Sequence, residues 1–587
     1  MAFTDLQSFL RRLEAEGELQ RITAEVDPEL EITEIATRSV SAGGKALLFE
    51  NVRGAQFPLA INVLASMRRI EMALGMHPEE LGNQLVSFAE RMNPPSLGAL
   101  WGNRGTAWRI SKIRPGSSRR APVHQIIETE PDLCALPVLK CWPEDGGRFI
   151  TLPLVMSRDP ETGAGNMGIY RMQVFDQSTT GMHMQIQKGG GFHYHNAEKR
   201  NEPLEMAVVL SGDPALILSA VMPLPEGFDE AAFSGIVRGK RTPMVNARTL
   251  NLKVPANAEF VLEGTVRPGR RRMEGPFGDH FGHYSAQSEF PVFEVRTITR
   301  RRNAIYPATV VGKPPQEDRY LGDATQLILK PLIKLTHPEI RDLWAYYEAG
   351  FHNLLVVSVE TRYAREPIKT ALALLGEGQL SLTKALVLVG PDVSPRDPSA
   401  VLQAIRRNFK AEEDFQLIAR TAIDTLDFTG EAMHRGSKMI LDATGPAAGE
   451  VAQKAIALPA NLDRLVPGVG KWRLVGRSML VVQAAGGGRD IAAALVANPL
   501  LGSLQIVAVV SEDVNINDNV ELLWGIFTRF DPARDVIFTA AEFRGIAPVY
   551  RGIMGIDATW KEGYQKPLIM DPEIVQRVDN RWAEYWK

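Results

Sequence analysis

The chain has 587 residues, 45% of them hydrophobic and 23% charged, with a mean hydropathy of −0.11. That is the composition of a globular protein with a sizeable core, and at about 150 residues per domain the length predicts three or four domains. A formal net charge of −3, from 66 Lys and Arg against 69 Asp and Glu, excludes nucleic acid as the principal partner. No apolar run approaches the roughly 20 residues of a bilayer span, so no integral membrane protein is expected.

At the N-terminus Thr4 and Gln7 stand at capping-box spacing before Leu6, Phe9, Leu10 and Leu13, with Gly17 as the stop. This predicts an amphipathic surface helix rather than a signal peptide. Residues 1–115 alternate helical and strand patterns as an N-terminal α/β region, and the run from Arg114 to Arg120 reads as a linker. From 116 to 321, short apolar runs such as 150–155, 208–210 and 290–295 alternate with Gly and Pro turns, the texture of an antiparallel sheet or barrel. Residues 322–348 read as a connecting helix. From 349 to 587 strand, turn and helix alternate, and 354–359 and 385–389 have the continuous apolar character of buried parallel strands. This C-terminal α/β domain carries a duplicated segment, about 384–445 and 505–560. Asp392-Val393 recurs as Asp513-Val514, and Asp442-Ala443-Thr444 as Asp557-Ala558-Thr559. Lys384 and Lys438 of the first copy become Gln505 and Ile553, so an anion-binding role is expected only in the first.

The two cysteines, Cys134 and Cys141, cannot build a four-thiolate metal site and are expected to be buried, reduced thiols of a cytoplasmic enzyme. Two other clusters can carry chemistry. The turn from Asp159 to Gly163 leads into Asn166–Val174, which reads as a strand. An Asn amide oxygen is a neutral hard ligand, and Arg171 is a fixed cation suited to a carboxylate or a flavin carbonyl. Their odd separation puts them on opposite faces of an unbroken strand, so a shared site needs a bend, for which Gly165 and Gly168 are the candidates. In Met273-Glu274-Gly275-Pro276-Phe277-Gly278-Asp279-His280, Gly and Pro stiffen a loop that presents two carboxylates. Like-charge proximity or burial raises one carboxyl for general-acid work, while a neighbouring Arg keeps the other ionised.

Four segments occur in order: Asn-Met-Gly-Ile-Tyr-Arg at 166–171, Pro-Leu-Pro-Glu-Gly-Phe-Asp-Glu at 223–230, Val-Leu-Glu-Gly at 261–264 and Glu-Gly-Pro-Phe-Gly-Asp-His at 274–280. They are followed by Tyr-Pro-Ala-Thr at 306–309, Leu-Thr-Lys at 382–384 and Gly-Ser-Lys-Met at 436–439. The series closely resembles the UbiD-like decarboxylases over nearly the whole chain. The resemblance implies a split β-barrel domain that binds prenylated FMN, beside an α/β domain that mediates homo-oligomerisation as a dimer or hexamer. It implies non-oxidative decarboxylation, or the reverse carboxylation, of an aromatic or α,β-unsaturated acid or its thioester, with cofactor supplied by a flavin prenyltransferase. Asn166 and Glu230 would bind a divalent metal, Mn²⁺ before Mg²⁺ or Fe²⁺, that joins the flavin phosphate to the protein, with K⁺ as a further ion. Ile169, Tyr170, Arg171 and Met222 would line the flavin, and Lys384 would contact its phosphate. Asp279 would donate the proton, tuned by Glu274 and Arg171.

One position departs from the pattern: where many relatives carry a His as third metal ligand, this chain has Gln187. Either its amide oxygen replaces the imidazole or the metal keeps two protein ligands and water. Other features read more plainly. His193 and His195 have the spacing of one strand face but no third zinc-type ligand, so a polar loop is expected. The basic runs 267–272 and 300–302 read as solvated hairpin ends, and Gly486-Gly487-Gly488 as a tight βα connection. The competing functions are a metal-dependent hydrolase using the two carboxylates, active without flavin, and a non-catalytic flavin-binding subunit of a carboxylase complex.

Overall fold

A computed structural model describes residues 3–91, 114–184, 189–224, 229–445, 456, 458–459 and 461–587. It has a mixed α/β fold that divides into two compact units. The first comprises Met1–Asp279, His283–Leu329 and Pro567–Lys587, the second His280–Gly282 and Lys330–Lys566.

In the first unit the N-terminal helix spans Leu6–Ala15 and buries Leu6, Phe9, Leu10 and Leu13. Its capping box is made by Asp5 and Ser8 rather than Thr4 and Gln7: the Asp5 carboxylate accepts the Ser8 N–H at 2.7 Å, and the Ser8 hydroxyl accepts the Asp5 N–H. Gly17 ends the turn at φ 73°, a conformation that costs glycine little. The strands that follow share their sheet with a distant segment. Leu19–Ile22, Ala46–Phe49 and Leu59–Ile61 make a sheet whose fourth strand, Tyr306–Pro307, arrives from far along the chain.

The central sheet of this unit is antiparallel and seven-stranded. Its order is Thr179–Gly181, Ser288–Arg300, Phe260–Glu274, Leu204–Leu210, Pro153–Arg158 and Gly165–Ile169, with Ile126–Glu128 also paired to Ser288–Arg300. The strand Leu204–Leu210 sends Met206, Val208 and Leu210 into one hydrophobic core and Ala207 and Val209 into another, so both faces of the sheet are covered. The basic runs lie at its ends, where Arg267 pairs with Glu294, Arg271 with Glu198 and Arg300 with Glu128. The stretch read as a linker supplies a short strand, Gly116–Ser117, paired with Pro243–Asn246.

The helix expected over 322–348 is Glu317–Thr336, and Ile340–Ala345 is already a strand of the second unit. That unit contains two five-stranded sheets of the same design. One has the order Ile340–Ala345, Leu354–Val359, Ala385–Val389, Gly436–Ala443, Phe415–Thr421. The other has Trp472–Val475, Met479–Ala484, Ile506–Ser511, Ala547–Ala558, Val536–Arg544. In each, three parallel strands are flanked by an antiparallel strand on either edge. The duplicated Asp-Ala-Thr closes the same turn twice, Asp442 Oδ1 accepting from Thr444 Oγ1 and Asp557 Oδ1 from Thr559 Oγ1, both at 2.6 Å. Gly487, at φ 66°, makes the tight connection into the helix Gly488–Val496.

Two further expectations change. Both cysteines are free, but only Cys141 is buried, and Cys134 is exposed. His193 and His195 lie on a helix, Gly189–Arg200, where two residues' separation turns them to different sides: His193 is buried against Ser157 Oγ at 2.9 Å, and His195 is exposed. No helix among the described residues is long and apolar enough to cross a membrane.

The last helix, Pro572–Tyr585, belongs to the first unit, not to the C-terminal α/β domain in which its sequence position placed it. Glu31, fully buried, accepts from Tyr585 Oη at 2.7 Å, Arg581 at 2.6 Å and the Asp27 N–H at 2.8 Å. Glu31→Ala strands the Tyr585 hydroxyl and the Asp27 N–H, and should destabilise the docked helix by about 2–4 kcal/mol. Limited proteolysis should then cut first within 567–587; protection equal to wild type would refute this anchoring role.

Candidate active site

The chain bends between Asn166 and Arg171, but not at a glycine. Gly165–Ile169 pairs with Pro153–Arg158, and Met172–Gln173 pairs with Phe149–Ile150, which leaves Tyr170 and Arg171 outside both ladders. Freed from strand parity, Arg171 turns its guanidinium to the loop after Phe260–Glu274. Its Nε donates to Glu274 Oε1 at 3.2 Å, one terminal nitrogen pairs with Asp279 Oδ2, and the other donates to Ser285 Oγ at 2.9 Å. The guanidinium also lies 4.5 Å from the centroid of the Phe277 ring. All three charged groups are sheltered, Glu274 being 1% exposed and Asp279 7%. One cation thus faces two carboxylates, an arrangement in which the acid pair can hold a proton. Glu274 Oε2 is buried without a hydrogen-bond partner, close to Gly181, where any Cβ would meet it at 2.5 Å.

A fourth member of this group escaped the sequence reading. His183 Nδ1 lies 2.9 Å from Glu274 Oε1, its backbone N–H donates to the Arg171 carbonyl at 3.2 Å, and its ring packs on Phe290 with centroids 4.1 Å apart. The contact needs one proton between the two atoms, and His183 Nδ1 carries it whenever Glu274 is the acceptor. Burial first, and then the Arg171 charge, hold the imidazole below the usual histidine range, so it stays neutral. The only available signal was a lone His among Met residues, which has no spacing to mark it.

The second group gathers around Asn166. Asp229 caps the helix Glu230–Arg238 by accepting from the Ala231 and Ala232 N–H groups, which sets Glu230 in the first turn, where the helix dipole favours an anion. Glu230 Oε2 accepts the Met167 N–H at 2.9 Å, while burial pushes its carboxyl upward. Asn166 Nδ2 donates to Tyr170 Oη at 3.2 Å, and the same phenol accepts the Gly190 N–H at 3.0 Å. A Cβ on Gly189 would sit 2.1 Å from Asn166 Oδ1, so only glycine lets the amide pack this closely against the backbone. Ile169 is half-buried, and Met222 is buried at the end of the helix Pro214–Val221. Gln187 lies outside the described residues. Lys384 belongs to the second unit, where it is 1% exposed and pairs with Asp427 at 2.8 Å.

Because His183 is held neutral, the folded chain binds fewer protons than the unfolded chain as pH falls through the ordinary histidine value of about 6.5, and stability is lost there. His183→Asn removes this uptake, so its melting temperature should fall less than that of wild type between about pH 7 and 5.5. Parallel pH profiles would contradict the assignment.

Three family models match the chain. They are the 3-octaprenyl-4-hydroxybenzoate carboxy-lyase N-terminal domain over 10–89, the Rift-related domain over 115–314, and the C-terminal domain over 319–443 and 465–558. An uncharacterised protein of Archaeoglobus fulgidus is 44% identical across 76% of this chain and 92% of its own. A 4-hydroxybenzoate decarboxylase subunit from Chlamydia pneumoniae is 38% identical across 99% of this chain and 98% of its own. Among solved structures, vanillic acid decarboxylase of Sedimentibacter hydroxybenzoicus, in closed form, superposes with a TM-score of 0.67 at 26% identity, over 78% of this chain and 96% of that one. The UbiD-class enzyme HmfF of Pelotomaculum thermopropionicum, in complex with FMN, gives 0.65 at 25%, over 78% and 98%. The chain belongs to the UbiD family and is a carboxy-lyase.

Proposed function

We propose that the chain is a prenylated-FMN-dependent, non-oxidative decarboxylase of an aromatic or α,β-unsaturated carboxylic acid or its thioester, able to run as a carboxylase. The observation that carries the reading is the buried Arg171 guanidinium shared by Glu274 and Asp279, with His183 on the same Glu274 oxygen. A solved UbiD-class relative at 25% identity was determined in complex with prenylated FMN, which supports the cofactor.

The residues present suit such a group. Asn166 and Glu230 offer hard oxygen donors, and those donor types favour Mn²⁺ or Mg²⁺ over a soft metal. Among the described residues no three His, Cys, Asp or Glu side chains are placed to hold a metal ion together, so the metal would rely on amide oxygens, on Gln187 if it ligates, and on the cofactor phosphate. Ile169, Tyr170 and Met222 would border the flavin. The reading includes a cytoplasmic homo-oligomer that receives its cofactor from a flavin prenyltransferase.

When bound, prenylated FMN supplies the electrophilic centre that makes loss of CO₂ accessible. The protein's part is orientation and proton transfer. Arg171 keeps Glu274 and Asp279 in one fixed array and keeps the ionised member charged. As the bond to the substrate carboxylate breaks and CO₂ leaves, Asp279 delivers a proton to the vacated carbon, and solvent restores it. One C–C bond is replaced by one C–H bond.

The test is to co-express the chain with a flavin prenyltransferase, record the absorbance and mass of the bound cofactor, and measure CO₂ release from a panel of acids. Asp279→Asn should retain the cofactor and lose about 10²–10⁴-fold in turnover. Wild-type turnover in this variant would overturn the assignment of the donor, and reconstituted protein with neither modified flavin nor CO₂ release would overturn the function.

A further inference from the structure

The two carboxylates are five residues apart on a loop whose own backbone groups are satisfied from outside it. The Gly275 N–H, next to Glu274, donates to Gln173 Oε1 at 2.8 Å, and the Gly278 N–H, next to Asp279, donates to Asp145 Oδ1 at 2.7 Å. The Pro276 carbonyl accepts the Gly146 N–H at 2.8 Å, and Gln173 Nε2 donates to the Gly146 carbonyl at 2.7 Å. The Gln173 amide therefore stitches two backbone segments together, with its oxygen on one and its nitrogen on the other. Asp145 is likewise committed: its second oxygen accepts the Cys141 and Trp142 N–H groups at 3.1 and 2.9 Å, and the residue is 6% exposed.

The segments touch too closely for ordinary side chains between them. A Cβ on Gly146 would lie 2.1 Å from the Gly275 carbonyl oxygen, and one on Gly278 would lie 2.1 Å from Trp142 Cδ1. The loop is thus clamped at the residue after one carboxylate and at the residue before the other. None of these bonds occupies the carboxylates themselves, which remain on Arg171.

We propose that Asp145 and Gln173 are positioning residues for proton transfer, fixing the backbone beside Asp279 and Glu274 so that both carboxylates meet Arg171 in register. The proposal rests on the reading of these carboxylates as the reacting pair. Burial pushes the Asp145 carboxyl up to about 7 against the pull of its three N–H donors and of Arg171, so the clamp works in its own dry environment rather than as a solvent-exposed acid.

Asp145→Asn is the sharper variant, because an amide has only one oxygen for the two sides and must turn its NH₂ toward an N–H donor. Gln173→Leu keeps the bulk and removes both stitches. A loop misplaced by about 1 Å predicts a loss near 100-fold in kcat, with KM and bound flavin little changed. Amide exchange in 274–285 should accelerate in both variants, a readout that needs no turnover. The decisive comparison is the pair Asp145→Asn with Asp279→Asn: if Asp145 acts through Asp279, the double variant is no slower than Asp279→Asn alone. Multiplicative losses, or unchanged kcat in both single variants, would overturn the proposal. Unchanged turnover in Asp279→Asn alone would instead defeat the functional reading, while faster exchange would still report the clamp.

Discussion

The acid cluster of the candidate site depends on one buried guanidinium. Arg171 has no acceptor atom and carries a permanent charge, so its burial is tolerable only with acceptors around all three nitrogens. Glu274, Asp279 and Ser285 supply those acceptors, and the Phe277 ring covers the cation's face. Two carboxylates around one cation leave an excess of negative charge, and a neutral His183 adds a donor without correcting it. On the proposed reading the acid pair carries one proton, and that proton is the one transferred.

The array constrains the surrounding fold. Arg171 can reach the loop because it stands between two short ladders, and a continuous strand from 165 to 173 would have sent it away from Asn166. Gly181 is required where Glu274 Oε2 would strike a side chain, and Gly146 where the loop's carbonyl passes. These glycines allow close approach rather than adding flexibility, as Gly278 does within the loop where it packs on Trp142.

Motifs made the carboxylates, Arg171, Asn166 and Glu230 legible in the sequence, because each stands in a short run of recognisable company. His183, Asp145 and Gln173 were not legible, for a different reason in each case. His183 is one imidazole in an apolar stretch, Asp145 spends its carboxylate on backbone N–H groups, and Gln173 bridges segments that are distant in sequence. The His193 and His195 pair failed because spacing alone cannot choose between strand and helix after Gly189-Gly190-Gly191. The strand texture of 116–321 and the parallel strands after 349 were readable from period and composition. The return of Pro572–Tyr585 to the first unit was not, since it is decided by Glu31, more than 500 residues away in sequence.

The duplicated sheets separate what a fold needs from what a site needs. Strand order, the antiparallel edges and the Asp-Ala-Thr turn are the same in both copies, and each is a solution to packing or to satisfying backbone groups. Lys384 and Lys438, buried charges that cost free energy to shelter, occur only in the first copy, where Lys384 is balanced by Asp427 and Lys438 donates to the Ser381 and Thr383 carbonyls. In the second copy, Gln505 and Ile553 stand in their places. A buried charge persists only where something compensates it or uses it. In the first copy the compensation is Asp427 and two carbonyls, and in the second copy the fully buried Arg529 is held in the same way by both oxygens of Asp513.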